Sequence, residues 1–254
     1  DADYWWKYLS KPQDHVPTRK NLPSGAYIVS SSKYKSYQEK LEKFNKNLKQ
    51  ELSLIFNDAN NKLKNLFKET YLKDIIERNR IKSTEELEEL LNILASNIGS
   101  LVNPQKLTAT FKSVKKVDLS APTIKQYLDY LQDAFFVNKV LRYNIKGKKY
   151  INTPFKCYFT DIGLRNTSLY FRQIEETHIM ENIIYNELQI RGYNVDVGEV
   201  NIGGNRMTEV DFVANLGNKR YYIQSALTMP TVEKIMQEKK SLLGIRDGFK
   251  KIII

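Results

Sequence analysis

The hydrophobic period of this chain changes near residue 136, and that change constrains the fold more than any other feature of the sequence. Before it, apolar residues recur every three or four positions, the spacing of one buried helical face. Tyr37, Leu41, Phe44, Leu48, Leu52 and Ile55 predict a helix over 34–56; Leu63, Leu66, Phe67, Tyr71, Ile75 and Ile76 a second over 61–79. A third follows Ser83, where Ser-Thr-Glu-Glu is a capping-box pattern with Glu86 reaching back, and it ends at Gly99. Asn103-Pro104 opens a short helix to Phe111, because a proline lacks only an amide that the first helical position does not use. Ser120-Ala-Pro-Thr opens another, buried along Ile124, Tyr127, Leu128, Leu131 and Phe135.

Beyond that point, 137–143 and 148–152 read as two strands joined by a hairpin at Asn144-Ile-Lys-Gly147. A helix over 179–191, strands at 193–197, 209–214 and 221–226, a helix over 232–243 and a strand over 250–254 complete the chain. The class is mixed α/β: three helices and a basic hairpin in the order of a winged helix-turn-helix, then an α/β sandwich on a mixed sheet.

Residues 1–26 hold the cluster Tyr4, Trp5, Trp6 and Tyr8 and the breakers Pro12, Pro17, Pro23 and Gly25, which forbid a long helix. Three regions are expected: 1–60, with one amphipathic helix and no assigned role; 61–156, helical and winged-helix-like; and 157–254, α/β. With 41% hydrophobic residues the chain has enough apolar surface for real cores. No apolar run approaches the ~20 residues that span a bilayer, and no signal pattern opens the chain, so a cytoplasmic location and no membrane partner are expected. Cys157 is the single cysteine, and its neighbours Phe155, Tyr158 and Phe159 predict a buried, inert thiol in a strand. His15 and His178 have no metal-ligand neighbours at ligand spacing, which argues against a zinc site or a serine-type triad.

The net charge is +11, and residues 103–156 alone carry eleven basic and three acidic side chains. A positive field so concentrated attracts polyanions by releasing their counterions. Its expected duplex-binding face comprises Lys112, Lys115 and Lys116 before the exposed helix, Thr123, Lys125 and Gln126 on it, and Lys146, Lys148 and Lys149 in the hairpin. Lysines would take phosphates and Gln126 a base edge, although Asp129 on the same face opposes DNA. The plainer reading is a solvated surface on a domain that packs against a neighbour.

Six stretches occur in a telling order: Tyr71-Leu-Lys-Asp-Ile-Ile-Glu-Arg78, Leu91-Asn-Ile-Leu-Ala-Ser-Asn-Ile-Gly99, Thr123-Ile-Lys-Gln-Tyr-Leu-Asp-Tyr-Leu131, Tyr158-Phe-Thr-Asp-Ile-Gly-Leu-Arg165, Glu181-Asn-Ile-Ile-Tyr-Asn-Glu-Leu188 and Glu209-Val-Asp-Phe-Val-Ala214. Together they resemble the domain of unknown function that follows the ATPase in many prokaryotic AAA-superfamily proteins. The resemblance implies an AAA-type ATPase domain in cis. No Gly-Lys-Ser or Gly-Lys-Thr phosphate loop occurs here, so ATP would enter only through such an N-terminal domain.

The second half is similar to restriction-endonuclease-like nucleases, which use a helix glutamate, a strand aspartate and an acid-x-lysine on the next strand to hold magnesium and stabilise the phosphate. The resemblance puts Glu181 at the helix position, Asp211 at the strand position and Gln224 where the second acid belongs. Ala226 takes the lysine position, with Lys219 and Arg220 as cations that could reach over from before the strand. Losing both electrostatic groups costs ~10² or more each in rate. The expectation is therefore a DNA-binding accessory module whose nuclease-like site is degenerate and which needs no cofactor of its own. The alternatives are a magnesium-dependent nuclease, with Asp211 and Glu181 as metal ligands and a displaced lysine, and a protein-interaction platform.

Overall fold

The computed structural model describes residues 31–172, 175–204 and 206–254, with backbone alone for 31–34, 37, 70, 71, 114 and 115. The Tyr4, Trp5, Trp6 and Tyr8 cluster and His15 lie outside the described residues. The chain divides into residues 1–58 and 59–254. The described part of the first is helical and belongs to α1, which runs over Ser31–Leu66; the second holds the end of α1, a π-helical turn Phe67–Leu72 and α2, Lys73–Asn79. Two separate helices were expected here. Asn57-Asp-Ala-Asn60 contains neither glycine nor proline, and residues of merely modest propensity cost only tenths of a kcal/mol each, too little to stop a helix. Arg80, at φ 51°, ends α2.

Next come α3 (Thr84–Ser96), β1 (Leu101–Val102), α4 (Pro104–Thr110) and α5 (Ala121–Asp133). The caps of α4 and α5 form as read: Asn103 accepts from the Gln105 amide at 2.9 Å and Ser120 from that of Thr123 at 3.3 Å. The capping box at Ser83 does not form, since its side chain makes no cap bond and Glu86 instead accepts from the Tyr127 hydroxyl at 3.4 Å. The apolar faces of α3, α4 and α5 bury Leu87, Leu90, Leu94, Leu107, Ile124 and Leu131 in one core.

A long hairpin follows, β2 (Val137–Asn144) and β3 (Lys149–Phe159), with β1 antiparallel on the outer edge of β3. Helix α6 (Ile162–Ser168), capped by Asp161, and α7 (Glu176–Ile190) lead to β4 (Asn194–Asn201), β5 (Met207–Leu216), β6 (Lys219–Gln224), α8 (Val232–Leu243) and β7 (Lys250–Ile253). Among the described residues seven strands form one mixed sheet in the order β1-β3-β2-β4-β5-β6-β7, so the mixed α/β class is what the chain adopts. The joint is a short parallel pairing of Arg142–Asn144 with Val197–Glu199.

The expected boundary at 156/157 falls inside β3, and the reason lies in strand alternation. Phe155, Cys157 and Phe159 point into the helical core, whereas Tyr158 packs with Tyr185 and Phe212 in the core beneath α7. One strand therefore serves two cores. Among the described residues no helix is long and apolar enough to cross a membrane.

Candidate functional site: an acid cluster and a basic hairpin

The alternation that sends Tyr158 toward α7 sends Lys156 there too. Its ammonium, 4% exposed, lies 2.9 Å from Glu181 on α7 and also bonds Glu209 on β5. The Tyr158 hydroxyl donates to the same Glu181 oxygen that Lys156 holds. Asp211, two residues along β5 on the face shared with Glu209, accepts from the Ser225 amide at 2.7 Å. His178 reaches Glu181 from one turn earlier, 3.9 Å away. Asn182 fixes α7 to the strand, accepting from the Phe159 amide and donating to its carbonyl, both at 2.7 Å.

Charge in this cluster is compensated internally. Burial works against the Lys156 ammonium, but the carboxylates of Glu181, Glu209 and Asp211 outweigh it and hold the lysine above its ordinary value. Burial pushes Glu181 up, while hydrogen bonds from His178, Tyr158 and Lys156 and the ammonium charge bring it below the usual range. Asp211 loses that contest: burial, then the Glu181 charge, push it up to about 7. The bond to Glu181 raises His178.

The lysine position itself was expected to be empty, at Ala226; the cation that meets the acids comes from β3, and neither Lys219 nor Arg220 reaches over. Lys219 opens β6 at the end opposite Gln224, about 17 Å away at ~3.3 Å per residue. Arg220 donates to Asn215 at 2.7 Å and lies over Tyr143 and Phe249. Lys156 was countable in the sequence only as one more basic residue. No spacing rule links it to Glu181, because the link is a strand crossing from another part of the fold.

A divalent metal, which the nuclease resemblance implies, does not fit this donor set. Among the described residues no three His, Cys, Asp or Glu side chains are arranged to hold one. Lys156 and Tyr158 engage the Glu181 oxygen, Ser225 engages Asp211, and Gln224 accepts from Ser241 at 3.3 Å. The cluster is also roofed: a Cβ on Gly99, at φ +72° beyond α3, would stand 2.9 Å from His178 Nδ1 and 3.1 Å from Glu181. Cys157 is buried and free, its thiol pushed up to about 12 by burial, which is the inert residue expected.

The basic residues fall into two groups. Lys112, Lys116 and Lys125 are exposed around α4 and α5, while only the backbone of Lys115 is described. Thr123 shares a hydrogen bond with Ser120 at 2.8 Å, and the Gln126 amide donates to the Tyr130 hydroxyl at 2.7 Å, so base reading by Gln126 requires breaking that bond. Lys125 borders a recess with Asp129, Lys139 and Thr153. Lys146, Lys148 and Lys149 stand exposed at the hairpin tip, five strand residues or about 17 Å beyond Thr153.

The tip is held by Glu199 of β4, a half-buried carboxylate. It bonds Arg142, accepts from Asn144 at 2.9 Å, and its carbonyl accepts the Ile145 amide at 3.1 Å. Asn144 in turn accepts from the Gly147 amide at 2.6 Å, closing the turn. Glu199 gave no signal in the sequence because its partners lie more than fifty positions away.

An uncharacterised protein of Haemophilus influenzae is 37% identical over 192 residues, 76% of this chain and 46% of its own length. An uncharacterised protein of Methanocaldococcus jannaschii is 27% identical over 201 residues, 78% of this chain and 44% of its own. The chain therefore spans less than half the length of these relatives. No solved structure matches it. From α1 through the helical unit, the hairpin and α6, residues 52–175 match a domain of unknown function, DUF8612.

Proposed function

We propose that this chain is a duplex-DNA-binding accessory module of a longer prokaryotic AAA-type ATPase, in which the nuclease-like unit binds and scaffolds without hydrolysing. The observation that carries the reading is a contrast in how charge is used. Lys156 is consumed by Glu181 and Glu209, whereas Lys112, Lys116, Lys125, Lys146, Lys148 and Lys149 are exposed and, among the described residues, in no ion pair. Exposed cations without a carboxylate partner can exchange solvent anions for phosphates, and the counterions released favour binding. The ordered motifs of the AAA-associated domain, and relatives of which the chain spans less than half, support a place beside a further domain.

The test is binding of the chain to a short duplex across a salt series, with magnesium or manganese present to report cleavage. Replacing Lys146, Lys148 and Lys149 together by alanine is expected to weaken binding at least ~10-fold and to reduce the salt slope by about 0.9 for each phosphate no longer neutralised, with every duplex left intact. Unchanged affinity would overturn the DNA reading. Cleavage by the wild type that Asp211→Ala abolishes would favour the hydrolase alternative, with Lys156 as its displaced lysine.

A further inference from the structure

At the end of the hairpin the sheet forms a cleft of about 380 Å³ that the sequence did not suggest. Three segments meet there: the tip of β2–β3 with Lys146 and Lys148, the end of β4 with Val200, and the loop after α8 with Ile245 and Arg246. Its floor is apolar, from Ile145, Val200 and Ile245, and its cations come from two segments more than ninety residues apart. The approach of these segments is built in. A Cβ on Gly244 would stand 2.8 Å from Val200 and 3.1 Å from Ile202, so the loop after α8 reaches the sheet only because residue 244 is glycine.

The one acid at the cleft is spoken for. Asp247 accepts from the Tyr222 hydroxyl and from the Phe249 amide at 3.2 Å, with Lys251 3.9 Å away. Lys146, Lys148 and Arg246 carry no ion pair among the described residues and are exposed. Three converging cations above an apolar floor suit an oxyanion attached to a sugar or base, and a guanidinium suits a phosphate better than a point charge does because it can donate two parallel hydrogen bonds.

We infer that this cleft is a phosphate-binding subsite in which Arg246 joins the hairpin lysines to hold the backbone of a bound polynucleotide, extending the DNA-binding surface onto the nuclease-like unit. The inference rests on the proposed DNA-binding function and identifies the part of the surface that grips phosphate. It makes the tip and the loop after α8 a single clamp, leaving α5 a lesser contributor.

The experiment titrates a labelled duplex with the 254-residue chain and four variants: Arg246→Ala, Arg246→Lys, Lys146→Ala with Lys148→Ala, and Lys239→Ala with Lys240→Ala as an exposed control on α8. Thermal melting confirms that each variant is folded. Arg246→Ala is expected to weaken binding about fivefold at low salt and to lower the salt slope by about one, with Arg246→Lys recovering the slope more fully than the affinity and the control unchanged. If the hairpin pair weakens binding and Arg246→Ala does not, the function stands and the clamp is wrong. If the wild type does not bind, both fall. Adenosine monophosphate is added as a competitor, and displacement of the duplex at micromolar concentration would replace the polymer by a free nucleotide as the cleft's ligand.

Discussion

The acid cluster and the hairpin tip each gather lysines and carboxylates, and they do opposite things with them. At the cluster, the buried Lys156 ammonium is shared by Glu181 and Glu209, because an unpaired ion away from water costs several kcal/mol, and Asp211, left without a cation of its own, is pushed toward its neutral form. At the tip the carboxylates of Glu199 and Asp247 are engaged by Arg142, Asn144 and Tyr222, and Lys146, Lys148 and Lys149 face solvent. Buried charge of this kind holds the fold together; exposed charge of one sign is available to a partner. A site that keeps the acids of a nuclease-like pattern can therefore still be structural, once a lysine from a neighbouring strand has claimed them.

The largest effect that would test this contrast is expected from Lys156→Met. It leaves Glu181 buried without its ammonium and should cost about 3–5 kcal/mol in chemical denaturation, while Lys156→Met with Glu181→Gln recovers a substantial part. An exposed-like loss below ~1 kcal/mol would show that the cluster is open to water.

Asp211 supplies the next. Its carboxyl rises from 3.8 in the unfolded chain to about 7 in the fold, so between those values the native protein holds a proton that the unfolded one has released. Its contribution to stability is full below pH ~4 and is lost as pH climbs through ~7. His178, also raised, adds in the same direction above its ordinary value. Asp211→Asn is expected to flatten the decline in denaturation midpoint from pH 5 to 8, by about 2 kcal/mol at the upper end. Unaltered pH dependence would place the titrating group elsewhere.

Glu199→Ala should have the smallest effect on stability, about 1–2 kcal/mol, because Arg142, the cation it leaves behind, keeps some contact with water, its side chain being 18% exposed. Its sharper signature is functional: unhooking the tip should lower duplex affinity even though a negative charge has been removed. An increase in affinity, the simple electrostatic outcome, would show that the tip needs no anchor.

Much of the chain was legible because its elements carry local signals. The 3.6-residue stripes of α3 and α5, the caps at Asn103 and Ser120 and the switch to alternating strands all act within a few residues, and they emerged close to the expected bounds, except that Phe135, expected on the buried stripe, lies past the end of α5 at positive φ and is 78% exposed. Glu181 and Asp211, singled out through the resemblance, do come together around Lys156, although their role as a site is not thereby read. Where local signals were weak or absent, the reading failed. Nothing at Asn57-Asp-Ala-Asn60 is strong enough to break α1, and Ser83 had a cap pattern whose glutamate found Tyr127 instead.

By itself, then, the sequence determined most of the helices and strands from α3 onward, the mixed α/β class and the placing of eight units of net positive charge in residues 103–156, but not the short β1 and α6. Only the tertiary structure decided which charges meet: that Lys156 leaves that basic pool to neutralise Glu181, and that Arg246 joins Lys146 and Lys148. Helices and strands are set by interactions over three or four positions, but an ion pair or a cleft is set by distance in space, and no periodicity encodes a contact between residues a hundred positions apart.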